Sequence, residues 1–291
     1  MIRKAFFLGC MIPLKYPQIE AAVRLTMPRL DVELVDLEGF TCCPDPIFFK
    51  SVDQFAWLTV AARNLTVAES AGLDIATACS GCTTTLAEAL HLLKTRPDLV
   101  KEVNSRLASI GRSFAGATNV RHLATILRDE VGLDRITAAV KTKIDGVKVA
   151  VHYGCHLLKP SEVAMVDDPD FPELQEKLVA AVGAEPVRYP HALKCCGKGC
   201  IDRTVPAAMA VEIVESAKAG GADALCLVCP SCFDSFELVQ ATGKVKKEKQ
   251  LPVLSYFQLL GLAMGFSGEQ LGFQFHRVPV PPGLGSVRGK R

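Results

Sequence analysis

Short apolar runs, each ending at a cysteine, set the rhythm of the chain. Lys4–Gly9 (KAFFLG) leads into Cys10 and Asp74–Ala78 (DIATA) into Cys79. Val147–Tyr153 (VKVAVHY) leads into Cys155 and Ala224–Val228 (ALCLV) into Cys229. Runs of this length, rich in Ala, Val, Ile and Phe, predict buried strands. Between them the period changes to that of helices. Tyr16–Leu30 follows Pro13 and carries Ile19, Ala22, Val23 and Leu30 on one face. Ser51 reads as the N-cap of a helix over Val52–Ala71, stopped by Gly72, and Ala207–Ala219 stops at Gly220-Gly221. Val120–Val131 reads as helical. Lys244–Lys249 (KVKKEK) reads as a solvated turn, and the Pro/Gly-rich basic tail from Val278 as loose.

The order of the cysteines shows that the pattern is duplicated. Cys10, the pair Cys42-Cys43 and Cys79-x-x-Cys82 are followed by Cys155, the pair Cys195-Cys196 and Cys229-x-x-Cys232. The intervals hold 31 and 35 residues in the first set and 39 and 32 in the second. A single, an adjacent pair and a CxxC, twice in one order, is an internal repeat. The fold class is therefore α/β, as two pseudo-symmetric copies of a small, mostly parallel sheet with helices. Functional loops of such sheets gather at the strand carboxyl ends, which is where the cysteine groups fall. The boundaries read as a first cysteine-rich domain over 1–95, a helical connector over 96–146, a second cysteine-rich domain over 147–265 and a tail over 266–291.

Composition narrows the chemistry. The chain has 291 residues, 49% of them hydrophobic, which is enough for a sizeable core. A net charge of +2, without a long basic arm, gives no electrostatic case for nucleic acid. No apolar run reaches the roughly 18 residues of a membrane span. The start, MIRKAFFLGC, imitates a signal ending in Cys10, but Ala5–Gly9 falls short of the roughly 7–15 apolar residues that a signal requires. A cytoplasmic, reducing setting is expected, where clustered cysteines bind metal or carry redox chemistry more often than they form structural disulfides.

Four uses of ten ordered thiols compete. Vicinal disulfides at Cys42-Cys43 and Cys195-Cys196 would strain the intervening peptide. Structural zinc prefers two CxxC pairs per site. A thioredoxin-type dithiol explains each CxxC and leaves three cysteines per half without a role. An iron–sulfur cluster held by four or five thiolates uses them all. There is no C-x2-C-x2-C-x3-C-P run for a cubane relay, and no G-x-G-x-x-G for a flavin or nicotinamide.

The stretches FFLGC (Phe6–Cys10), CCP (Cys42–Pro44), ACSGC (Ala78–Cys82), HYGCHLLKPS (His152–Ser161), CCGKGC (Cys195–Cys200) and CPSC (Cys229–Cys232) resemble the CCG-domain family, in particular its heterodisulfide reductase B subunits. The likeness runs from residue 2 to about 265, with a last interval a few residues shorter than is usual in the family. The resemblance implies two noncubane 4Fe–4S clusters, one on Cys10, Cys42, Cys43, Cys79 and Cys82, the other on Cys155, Cys195, Cys196, Cys229 and Cys232. Zinc in the first motif, beside one cluster, is the fallback. It further implies reductive cleavage of the coenzyme M–coenzyme B disulfide, a step of methanogenesis, between the two clusters. A ferredoxin-like iron–sulfur protein and a flavin-bearing protein of the same complex would supply the electrons. The alternatives are a non-catalytic electron-transfer role, or a CCG reductase acting on another sulfur or quinone substrate.

Other residues carry weaker signals. His156, next to Cys155, is a candidate to hydrogen-bond a cluster sulfur or a substrate anion, and a tentative catalytic residue. His152, inside a strand, reads as a core histidine; His191 flanks a cysteine loop. Lys159, Lys194 and Lys198 are surface charges or anion partners. Gly197 and Gly199 are expected to let the backbone pass close to a cluster. Cys200 and Cys226 are read as non-ligands.

Overall fold

A computed structural model gives the fold and describes residues 1–200, 202, 204–281 and 284. Among the described residues eight strands form two four-stranded sheets. The first holds β1 (Ile2–Phe7), β2 (Val32–Val35), β3 (Ile75–Thr77) and β4 (Val120–His122) in the order β2-β1-β3-β4. The second holds β5 (Lys148–His152), β6 (Glu185–Val187), β7 (Ala224–Leu227) and β8 (Val253–Ser255) in the order β6-β5-β7-β8. Every neighbouring pair is parallel, with Ala5 opposite Ile75 and Val149 opposite Ala224 in the central ladders. The two sheets are copies of one another, as the repeat requires.

The central strands show why these segments pair. Ala5–Phe7, Ile75–Thr77, Val149–His152 and Ala224–Leu227 are buried without a polar face, as strands covered by helices on both sides must be. In each sheet the chain leaves β1 or β5 toward one edge and returns on the other side. The switch point therefore lies between β1 and β3, and between β5 and β7. Cys10 and Cys79 follow the first pair of strands; Cys155 and Cys229 follow the second.

Four expectations change. Val120–Val131 does not form one helix: Val120–His122 is the edge strand β4, and the helix starts at Leu123 with His122 as its cap. A three-residue strand is too short for its period to stand apart from a helix. The first sheet thus extends into the stretch read as a helical connector, although Pro97–Leu107 and Leu133–Ala139 are helical. The cap of the helix Gln54–Ser70 is Asp53, whose carboxylate accepts from Ala56 N at 2.8 Å, rather than Ser51. Ser51 sits inside a separate short helix, Phe48–Val52, and its hydroxyl donates to the Ile47 carbonyl. The fourth change is in the tail, which packs down through buried Val278 and Leu284; residues 282, 283 and 285–291 lie outside the described residues. The helix read over Tyr16–Leu30 is Pro17–Thr26 followed by a tighter turn, Met27–Leu30. Lys244–Lys249 is the solvated turn expected, its lysines exposed.

The halves are not independent lobes. One hydrophobic core runs from Ile12, Ile19 and Val23 of the first half to Leu225, Phe257 and Leu260 of the second. Helix Pro17–Thr26 packs against Tyr256–Ala263, and Ser80–Thr95 against the short helix Ser161–Ala164. A second core, around Trp57, Leu65, Leu86 and Val103, belongs to the first half alone.

Candidate functional site

Each half builds its cysteine cradle with the same backbone devices. The strand ends in a left-handed glycine, Gly9 at φ 69° and Gly154 at φ 67°, which turns the chain into Cys10 or Cys155. The glycine is also required by space. A Cβ at Gly9 would stand 2.7 Å from Cys82 Sγ, and one at Gly154 would stand 3.1 Å from Cys232 Sγ. Cys79 and Cys229 are extended residues at the N-caps of helices Ser80–Thr95 and Pro230–Ala241, so Cys82 and Cys232 lie in the first turns. A helix N-terminus favours a thiolate there.

Hydrogen bonds to the backbone hold the cysteine loops from behind. Asn64, buried on helix Gln54–Ser70, donates from Nδ2 to the Cys42 carbonyl at 2.9 Å and accepts from Thr41 N at 2.9 Å. Thr85 holds the Pro44 carbonyl at 2.9 Å, and Thr77 Oγ1 accepts from Cys79 N at 3.0 Å. In the second half Gly197 N donates to Cys195 Sγ at 3.3 Å.

The ten cysteines fall into two neighbourhoods. In the first half Cys42 is flanked by Cys10 and Cys43, and Cys82 by Cys43 and Cys79. In the second half Cys195 is flanked by Cys155 and Cys196, and Cys232 by Cys196 and Cys229. Cys79 and Cys229 stand near enough to perturb one another across the two halves. Neighbouring thiols decide where negative charge settles. Donation from Cys42 and Cys82 lowers Cys43 to about 4, and donation from Cys155 and Cys196 lowers Cys195 to about 2. Cys229 is lowered by Cys232 and Cys79, whereas its neighbour Cys232 is pushed up, first by Cys196. Each half therefore holds at least one stabilised thiolate within a set of thiols, the donor chemistry of an iron–sulfur site.

A cavity of about 80 Å³ lies where the halves meet, walled by Ile47, Ser80 and Gly81 on one side and by Cys155, Cys196 and Cys232 on the other. Three buried polar atoms beside the cysteines, Ser80 Oγ, His152 Nε2 and His156 Nε2, have no partner among the described residues. Also among the described residues, no three His, Cys, Asp or Glu side chains converge as ligands of a single ion.

The remaining candidates separate. Cys226 is 1% exposed within β7, its thiol pushed up by burial, and Cys200 is exposed. His152 is in the core as expected, but it is not a satisfied histidine, because its Nε2 has no partner among the described residues. It is fully buried, with Nδ1 3.3 Å from the Tyr189 hydroxyl, and burial lowers it to about 4. His191 Nδ1 lies 3.3 Å from the Glu212 carbonyl, and Lys194 pairs with Glu212 on the surface at 3.1 Å. Lys159 is exposed. Lys198 is tied to the buried carboxylate of Asp234 rather than left free for an anion. Gly197 and Gly199 have no room for a side chain: a Cβ at Gly197 would meet Pro206 Cα at 2.6 Å, and one at Gly199 would meet Ile47 Cδ1 at 2.3 Å.

Sequence reasoning passed over Asn64, His122, Tyr16 and Asp234. His122 is fully buried. Its Nδ1 accepts from Ala124 N, so Nε2 is the protonated nitrogen and donates to the Val228 carbonyl, one residue before Cys229, at 3.1 Å. Burial lowers it to about 4, which keeps the ring neutral in that role. Its only signal in the sequence was a histidine just ahead of the apolar start of a helix, Leu123-Ala124.

Comparison with known proteins agrees with the repeat. The model of the cysteine-rich domain family, CCG, matches residues 4–87 and again 149–237. The B subunit of a ferredoxin/F(420)H(2)-dependent CoB-CoM heterodisulfide reductase from Methanosarcina acetivorans is 40% identical over 284 residues, covering 96% of this chain and 94% of the relative. The membrane anchor subunit of an 8-methylmenaquinol:fumarate reductase from Wolinella succinogenes is 31% identical, covering 94% of this chain and 96% of the relative. Among solved structures, a hypothetical protein from Helicobacter pylori superposes with a TM-score of 0.74 at 16% identity. That match covers 96% of this chain and 52% of the other, and it speaks for the fold alone. Among the described residues no helix is long and apolar enough to cross a membrane.

Proposed function

We propose a function from one established premise: this chain belongs to the cysteine-rich (CCG) domain family, alongside the B subunits of heterodisulfide reductases. It is an iron–sulfur subunit of an oxidoreductase that works with partner subunits. The finer reading is that it is the catalytic subunit. It cleaves a small-molecule disulfide, the coenzyme M–coenzyme B heterodisulfide or a related one, between two noncubane 4Fe–4S clusters. Cys10, Cys42, Cys43, Cys79 and Cys82 would hold one cluster, and Cys155, Cys195, Cys196, Cys229 and Cys232 the other.

One observation carries this reading: Pro46, Ile47, Ser80 and Gly81, which flank cysteines of the first half, share one cavity with Cys155, Cys196, Cys229 and Cys232 of the second. A protein that only conducted electrons would have no need of two facing sites. The reaction R–S–S–R′ + 2e⁻ + 2H⁺ → R–SH + R′–SH takes two electrons and two protons. Bound clusters would supply electrons singly, and two sites match two electrons. The protein's part is placement and protons. His122 and Asn64 hold the backbone around Cys229 and Cys42, and Gly9 and Gly154 let the strand ends close on the CxxC sulfurs. His156 Nε2, buried and unpartnered beside the cavity, is the ring atom positioned to pass a proton to a departing sulfur.

Electrons would come from a ferredoxin-like iron–sulfur protein and a flavin-bearing protein of the same complex in the cytoplasm, because this sequence carries neither a flavin nor a nicotinamide fingerprint. The kinship with a menaquinol:fumarate reductase subunit supports a second reading, in which the chain exchanges electrons with a quinol–quinone pair rather than with a disulfide. The test is turnover of the purified chain under anaerobic conditions. Reduced viologen should drive disulfide cleavage, and NADH or NADPH alone should not. Sustained turnover with NADH would reveal a nicotinamide site and overturn the assignment of partners. Oxidation of the viologen by a quinone, but not by any disulfide, would favour the second reading.

A further inference from the structure

The two CxxC helices each reach across the molecule. Thr84 and Asp234 occupy the same place in the repeat, two residues beyond Cys82 and Cys232 respectively. Thr84 Oγ1 donates to the carbonyl of His156, in the single-cysteine loop of the other half. Asp234 accepts from the hydroxyl of Tyr16, which follows the single-cysteine loop of the first half. The repeat has kept the crossing contact while changing its chemistry. On one side it is a hydroxyl, on the other a carboxylate.

Asp234 does more than its counterpart. It is 2% exposed, and its second oxygen is bound by Lys198, two residues beyond Cys196 in the second adjacent-pair loop. Lys15, just ahead of Tyr16, stands 3.6 Å from the first oxygen. One carboxylate thus gathers the Cys10 segment of the first site, the Cys195–Cys196 loop of the second and the helix bearing Cys229 and Cys232. A buried carboxylate with a charged partner and a phenol is satisfied and strongly held, and removing its charge leaves Lys198 unpaired. None of the proposed ligand sulfurs is touched by Asp234 itself.

We infer that Asp234 is a positioning residue that fixes the spacing of the two cysteine sites and sets the local potential at the second. The inference rests on the two-site reading above, and the iron content of the unaltered protein separates the two. If that protein does not carry two clusters, the function fails before Asp234 is tested. Spacing matters because a bond held between two centres reacts only near one geometry, and an error of about 1 Å can cost about 10²-fold. Residues behind the ligands act at this level, typically about 10–100-fold when replaced.

The test compares anaerobically prepared holoproteins of unaltered sequence, Asp234→Asn, Asp234→Glu, Tyr16→Phe and Lys198→Met, with Asp98→Asn as an exposed control. Asp234→Asn should keep near-normal iron, slow viologen-driven disulfide reduction about 10–100-fold, and raise the midpoint potential of one cluster, since a nearby negative charge is lost. Tyr16→Phe removes only the crossing contact. It should leave both potentials in place while altering the magnetic interaction between the reduced clusters in electron paramagnetic resonance. Lys198→Met should lower the potential of the same cluster that Asp234→Asn raises. Asp234→Glu should recover most of the potential, and the control should match the unaltered protein. If Asp234→Asn fails to fold, Tyr16→Phe and Lys198→Met carry the test alone. Unchanged potentials, spectra and turnover in those variants would overturn the inference.

Discussion

Cys42→Ala and Cys195→Ala are each expected to lose about four of about eight iron per chain and all measurable disulfide reduction. Cys42 and Cys195 lie in the adjacent pairs and are the direct thiol neighbours of Cys10 and Cys155, so each substitution parts the single cysteine from the rest of its set. A four-iron centre missing one thiolate is also open to water and oxygen, and for this reason the loss should be complete rather than graded. Cys226→Ala is the contrast. Its thiol is buried in β7, outside both sulfur arrays, and replacing a small buried side chain with alanine leaves the ten cysteines untouched. Iron analysis and viologen-driven turnover of the three variants decide the matter. Iron loss from Cys226→Ala would mean that the second ligand set is misassigned.

Gly9→Ala should be nearly as severe, although it removes no ligand. The left-handed backbone at φ 69° costs a non-glycine residue about 1–2 kcal/mol, and the new methyl would stand 2.7 Å from Cys82 Sγ. Cys82 cannot yield without leaving the array. The expected result is loss of the first cluster's iron from a chain that still folds, because one displaced thiol is a small part of the core that holds Trp57, Leu65 and Leu86. Gly72→Ala is the matched comparison: another left-handed glycine, at φ 64°, with open space where the Cβ would go. It should lose stability and keep its iron. Equal iron in both variants would show that the contact with Cys82 is not part of the cradle.

The sequence exposed one side of this fold more than the other. The central strands β1, β3, β5 and β7 are apolar for most of their length and each runs into a cysteine, so both strand and site could be read from one local pattern. The edge strands β4 and β8 are three residues long and end in His122 and Ser255. Nothing in their period separates them from the helices that follow. Long-range partners were invisible for a different reason. Tyr16 and Asp234 are 218 residues apart, and Gly199 owes its missing side chain to Ile47 of the other half. Glycine signals a backbone that must come close, but not what it must approach. Asn64 was hidden in the same way, as a polar residue on an otherwise apolar helix whose partner, the Cys42 carbonyl, lies in an irregular loop.

The central claim is that ten cysteines hold two iron–sulfur clusters facing one another. It is tested most directly by metal analysis of the anaerobically purified chain, together with its electron paramagnetic resonance spectrum before and after reduction. The account predicts about eight iron per chain, no stoichiometric zinc and two distinguishable cluster signals. About four iron with one zinc and a single cluster signal would contradict it, and would place zinc on Cys10, Cys42, Cys43, Cys79 and Cys82.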